Sequence, residues 1–301
     1  MSLSGGLYAA GVSFSPFASP LLFLVPLPGL VLATDAPAAC VLWLLLTEGV
    51  VSVVLGVDAA ASLLLLFGLP ACSMASGFRR GWAVERTVLA GMVAWSAGLL
   101  CSTFLAYGNL TVLADMVRQQ LAHGVDLALS TYGSVGVSDS SLAAVKAERD
   151  LVVTGLIEVL PALVMLCGAL MMIANLVLLR RWTDTLHDVD LRLWRTPDAL
   201  IWALIATGFS MFLPVRPVAL VARNIFIVLL GCYFCQGLAI VSYFLERFRL
   251  PRGVRVAGYL LIAVQHIVAG IVLALGVFDL WGNFRRLSVG PADIQIPGDG
   301  E

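Results

Sequence analysis

Five ionisable side chains stand inside long apolar runs of this sequence: Glu48, Glu158, Arg223, His266 and Asp279, with the neutral polar residues Asn175, Asn224, Gln236 and Gln265 among them. In lipid a charge at the bilayer centre costs about 2.5 to 3.5 kcal/mol on insertion scales, so each needs a partner, a water-filled cavity or a place near the interface. The chemistries open to such residues are ion pairing between helices, contact with a polar solute, and proton relay.

Depth along a helix sorts these roles. At 1.5 Å per residue, Glu158 lies about 10 Å and Arg223 about 8 Å inside the same end of their runs. They are expected to form an ion pair, read either as a structural clamp or as a ligand-binding or gating element. Glu48 and His266 fall near the midplane, where transporters hold solutes and coupling ions. The bland alternative for His266 is a hydrogen bond to a neighbouring helix. Asn224, Gln236 and Gln265 are expected to bond across helices for roughly 0.6 to 2 kcal/mol each, and Ala94/Gly98 and Gly270/Ala274 to allow close backbone approach. The candidate ligand-binding residues are thus Arg223, Glu158, Glu48, His266, Asn224 and Gln236.

Catalytic signatures are missing. Cys232-Tyr-Phe-Cys235 has C-x-x-C spacing, but it lies in an apolar run without a second pair or a nearby histidine and reads as packing. The histidines His123, His187 and His266 form no H-E-x-x-H, and there is no P-loop, G-x-S-x-G or dinucleotide fingerprint. No catalytic residue, metal or cofactor is expected. A net charge of −1 suggests no nucleic-acid partner.

The elements that position these residues follow from composition. Hydrophobic residues make up 60% of the 301 residues and charged ones 12%, with mean hydropathy +0.97, whereas soluble domains carry about a quarter charged residues. Lipid is the expected solvent. Runs of about 18 to 28 apolar residues without period-2 alternation favour helices over a barrel. The fold class is an all-α, polytopic helix bundle forming a single membrane domain over 1–301. It has about eight spans, with six to eight as the range: 15–34, 37–56, 59–76, 87–107, 151–179, 199–214, 218–244 and 256–280. Prolines at 16, 20, 26 and 28 and short links make the first three the least regular. The first basic residue is Arg79, so no basic n-region marks a signal peptide and the first apolar run is expected to be retained.

Arginine-rich segments 77–86, 180–198 and 245–255 alternate so as to share one side, the cytoplasmic side of a bacterial inner membrane. Segment 108–150 then lies outside, between spans four and five. Leu110, Leu113, Val117 and Leu121 recur at helical spacing, a break is expected at 132–136, and Ser138-Asp139 offers a cap for a second helix. This extracytoplasmic helical hairpin reads as a connector or as a lid. Arg285 and Arg286 run against the pattern, since they follow the last span and would sit outside.

The segments Leu193-Trp194-Arg195-Thr196-Pro197-Asp198, Ala222-Arg223-Asn224, Gln236-Gly237-Leu238 and Leu275-Gly276-Val277-Phe278-Asp279, with the Phe78-Arg79-Arg80-Gly81 loop, resemble the YybS-like family of predicted bacterial membrane proteins. More distantly the chain is similar to the substrate-binding subunits of energy-coupling-factor transporters, though its proline-interrupted first run lacks their small-x-x-x-small stripe. The resemblance implies an uncharacterised multi-pass protein, expected to be a small-solute-binding transport component or, alternatively, a non-catalytic scaffold or assembly partner. Its partners would be the lipid bilayer with a small-molecule solute or a membrane protein.

Overall fold

Apolar runs of this length satisfy their backbone polar groups in lipid by forming helices. The computed structural model describes residues 23–35, 37–134, 143, 146–180 and 191–285, and there is no strand among them. The helices are α1 (Pro26–Asp35), α2 (Pro37–Leu55), α3 (Val57–Arg79), α4 (Val84–Tyr107), α5 (Leu110–Ser134), α6 (Arg149–Leu179), α7 (Leu200–Ser210), α8 (Arg216–Arg247), α9 (Arg252–Val264) and α10 (His266–Gly282).

The eight predicted spans overcount what these helices support. Among the described residues α3, α4, α6 and α8 are long and apolar enough to cross a bilayer, and α9 with α10 makes a fifth if that bent pair is one span. Helices α1 and α7 have 10 and 11 residues, roughly half of what a hydrocarbon core of about 30 Å requires. Hydropathy marks a run as apolar but does not record where its helix stops. The eighth predicted span is broken: α9 and α10 meet at 100°, because Gln265 is extended, with φ −100° and ψ 105°. Residues 15–22 of the first predicted span lie outside the described residues.

The chain divides into two compact units at Val189–Asp190. In the first, α3 and α4 run antiparallel at very short range. A Cβ on Gly98 would stand 2.0 Å from the Leu65 carbonyl oxygen, and one on Gly91 would stand 2.7 Å from Met74. Leu65 belongs to a π-helical turn, Leu64–Gly68, inside α3. Pro70, two residues on, has no N–H to return to the preceding turn, and such widened turns accommodate that loss. Helix α6 packs on α4 where Gly168 receives the Trp95 ring. Asn175 of α6 donates to the Phe23 carbonyl at 2.6 Å and ties in the chain before α1.

Helix α5 continues through Tyr132 and Gly133 to Ser134, and residues 135 and 136 of the expected break lie outside the described residues. It lies beside the start of α6 through a two-bond contact of Arg149 with Asp126, at 2.6 and 2.7 Å. The proposed cap at Ser138-Asp139 lies outside the described residues.

In the second unit, α7, α8 and α10 enclose a core of Ile201, Leu204, Leu229 and Tyr233. A Cβ on Gly237 would stand 2.0 Å from the Val272 carbonyl oxygen, and one on Gly276 would stand 1.9 Å from that of Tyr233. These crossed pairs make α8 and α10 antiparallel with their backbones in contact. On that register Asp279 is level with about residue 230, near the middle of α8, and α10 ends level with about residue 227.

Candidate functional site

That halfway level is where the sequence places a charge and the structure gathers a cluster. Asp279 sits in the last turn of α10, where its charge opposes the negative end of the helix dipole. Three donors offset this. The Phe284 N–H donates to Oδ1 at 3.0 Å, and Gln236 Nε2 and Arg285 Nη2 donate to Oδ2 at 2.9 and 2.8 Å. Asn283, in the left-handed region at φ 38°, ends the helix and turns the chain so that Arg285 folds back. Asparagine tolerates that conformation better than most residues.

The network extends to the chain before α7. Arg285 Nη1 donates to the carbonyls of Arg192 and Trp194, at 2.7 and 2.9 Å. Gln236 accepts at Oε1 from the Thr196 N–H at 3.1 Å and from its hydroxyl. Thr196, Gln236, Asp279 and Arg285 are all buried. An Arg–carboxylate pair in this setting contributes little net stability, but removing one partner costs about 3 to 5 kcal/mol. Arg285 Nε and Arg195 Nε are buried without a partner. At the other end of this segment Arg192 pairs with Glu246, near the end of α8.

The model of a family of predicted membrane proteins, DUF2232, matches residues 6–280. The chain belongs to the DUF2232 family. It is accordingly a membrane protein with several apolar helices. No curated protein and no solved structure matches it. In this DUF2232 protein the matched region contains Thr196, Gln236 and Asp279, while Arg285 follows it.

Of the six candidate residues, the structure recruits Gln236 to the cluster. Asn224 donates to Leu220 one turn back in α8, at 2.9 Å. Arg223 is half-buried on α8 in the second unit, and Glu158 is half-buried on α6 in the first. His266 opens α10 directly after the bend and is exposed. Glu48, on α2, is half-buried and has one oxygen, Oε1, sealed without a hydrogen-bond partner. Among the described residues, the hollows include an apolar crevice of ≈ 10 Å³ beside Trp43 and Phe67 and an open groove of ≈ 460 Å³ along α4 beside Arg86. Neither is lined by any of the six.

Arg285 departs from the expectation of an outside charge, because its side chain is buried. Counted as a loop charge outside the membrane, it contradicted the arginine pattern; buried beside the middle of α8, it is not a loop charge at all. The available signal was an asparagine at the helix end with a basic residue two positions on, six after an intramembrane aspartate. Arg286 lies outside the described residues.

Among the described residues no three of His, Cys, Asp and Glu gather where one metal ion could bind. Cys72, Cys101, Cys167, Cys232 and Cys235 are in no disulfide. Outside the spans, Asp126 has its pKa held below the usual carboxylate range by the Arg149 hydrogen bond.

Proposed function

We propose that this DUF2232 protein is a non-catalytic scaffold or assembly partner of a bacterial cytoplasmic membrane, acting through a membrane-protein partner and without a cofactor. One observation carries the reading: Gln236, a candidate solute contact, is spent within the protein, bonded to Thr196 on one side and Asp279 on the other. Polar groups that bond one another across helices hold a bundle together, whereas a solute site leaves convergent polar groups facing a cavity.

A second reading, a YybS-like solute-binding transport component related to energy-coupling-factor subunits, is favoured by Glu48. Its buried oxygen lacks a hydrogen-bond partner within the protein, which suits a contact to a solute or ion. Native mass spectrometry of the full chain in nanodiscs separates the two. The scaffold reading expects a membrane protein of defined stoichiometry to co-purify, and the same complex to re-form from the purified parts. A stoichiometric small molecule lost on Glu48→Gln, with no protein partner, would overturn it in favour of transport.

A further inference from the structure

The bend that breaks the last predicted span leaves α9, at 13 residues, too short to cross a bilayer by itself. Its sequence is two-sided. Arg252, Arg255 and Tyr259 repeat at three- and four-residue intervals along one face, and Val254, Leu261, Leu260 and Val264 spread over the opposite one. Those four apolar residues are 48–72% exposed, a broad unpartnered surface for a 13-residue helix. Ile262 is the residue that turns inward and anchors α9 to the rest of its unit.

The basic side is built rather than incidental. Helix α8 ends at Arg247, and the chain reverses through Arg249, held in the left-handed region at φ 50°. Arg255 Nε then donates to the Leu250 carbonyl at 2.9 Å, fixing the guanidinium against that reversal. Four arginines, 247, 249, 252 and 255, are thereby gathered within nine residues at one end of the long apolar helix α8, with Glu246 engaged by Arg192.

We propose that α9 is an interfacial helix that lies flat on the bilayer and binds anionic phospholipid headgroups. Three features of the fold meet in it: the 100° angle to α10, the exposed apolar face opposite the arginines, and the four arginines gathered at the end of a span-length helix. A helix at right angles to its successor runs in the membrane plane when that successor enters the bilayer. In that pose its apolar face sinks into the headgroup and acyl boundary while the arginines stay level with the phosphates. Arginine suits this contact because its planar guanidinium offers paired donors to phosphate oxygens. The leaflet is the arginine-rich one, cytoplasmic by the charge pattern.

The test uses the full chain in nanodiscs of phosphatidylcholine with a minor fraction of phosphatidylglycerol, scored by native mass spectrometry for retained lipid. Phosphatidylglycerol should be enriched on the wild type. Arg252→Gln should reduce the enrichment about fivefold, and Arg252→Gln/Arg255→Gln roughly tenfold to thirtyfold. Arg118→Gln, an exposed cation on α5, should leave it unchanged. In parallel, a benzophenone amino acid at Leu261 in the otherwise native chain should crosslink to lipid acyl chains. Unchanged enrichment in the double variant, an equal loss with Arg118→Gln, or crosslinking at Leu261 to a protein chain would each overturn the proposal.

Discussion

Arg285 donates to Asp279 Oδ2 at 2.8 Å, six residues back along the chain, and both side chains are sealed from solvent. The pair locks the end of α10 to the segment before α7, because the other guanidinium nitrogen caps two carbonyls of that segment. Breaking it from one side strands a buried charge. Arg285→Gln and Asp279→Asn should each destabilise the protein by about 3 to 5 kcal/mol, and the double variant by clearly less than their sum. Thermal unfolding in detergent measures all three. Strict additivity would show that the two charges do not depend on each other.

Backbone contact between α8 and α10 gives a sharper contrast. The alanine methyl of Gly276→Ala would meet the Tyr233 carbonyl oxygen at 1.9 Å, so the helices must separate, at a cost of about 1 to 3 kcal/mol. Gly270→Ala, six residues earlier on the same helix, meets nothing within 4 Å and should be neutral or stabilising by up to about 1 kcal/mol. The same unfolding assay checks both, and equal effects would contradict the α8–α10 register.

Outside the spans, the Asp126–Arg149 contact makes the attachment of α5 sensitive to acid. Its carboxyl titrates below the ordinary range in the folded protein because of the Arg149 hydrogen bond. A depressed folded pKa means that the contribution is complete above the unfolded value, about 3.9, and is lost as pH falls through the folded one. Hydrogen-exchange protection of residues 110–134, corrected for intrinsic rates, should therefore be level from pH 7 to about 5 and fall only below about 4. Asp126→Asn should remove that acid step. Because the pair is exposed, 1 M salt should weaken it as well.

Glu48 offers a test in which stability and function part ways. One of its oxygens is buried without a partner, and such an atom costs about 1 to 3 kcal/mol. Glu48→Met should raise the thermal midpoint by an amount corresponding to about 1 kcal/mol. A drop instead would mean that the carboxylate is engaged, and the solute reading would gain from it.

Much of the architecture was legible in the residues themselves. Apolar runs with few charges become the long helices α3, α4, α6 and α8 at nearly the predicted bounds, because in lipid the backbone must bond within its own segment. The close approach at Gly98 was also visible as a small residue in such a run, whereas Gly270 shared that signal and a Cβ there would meet nothing within 4 Å. Small size permits contact; only the rotation of the helix decides whether a neighbour is there, and in α10 the neighbour faces Gly276.

The same distinction separates the polar residues. Their number, their cost in lipid and their need for partners follow from residue type and burial in an apolar run, and the sequence determined that much alone. Which partner each one takes is a matter of rotation and of local breaks in helices. A single extended residue at Gln265 turned one expected span into two helices, and a single left-handed residue at Asn283 carried Arg285 back into the core. Neither event has a periodic signature, since each depends on one backbone angle whose small energy is decided by the contacts that packing makes afterwards. Tertiary structure therefore chose Gln236, Asp279 and Arg285 as a set, where sequence had offered them as separate charges and amides.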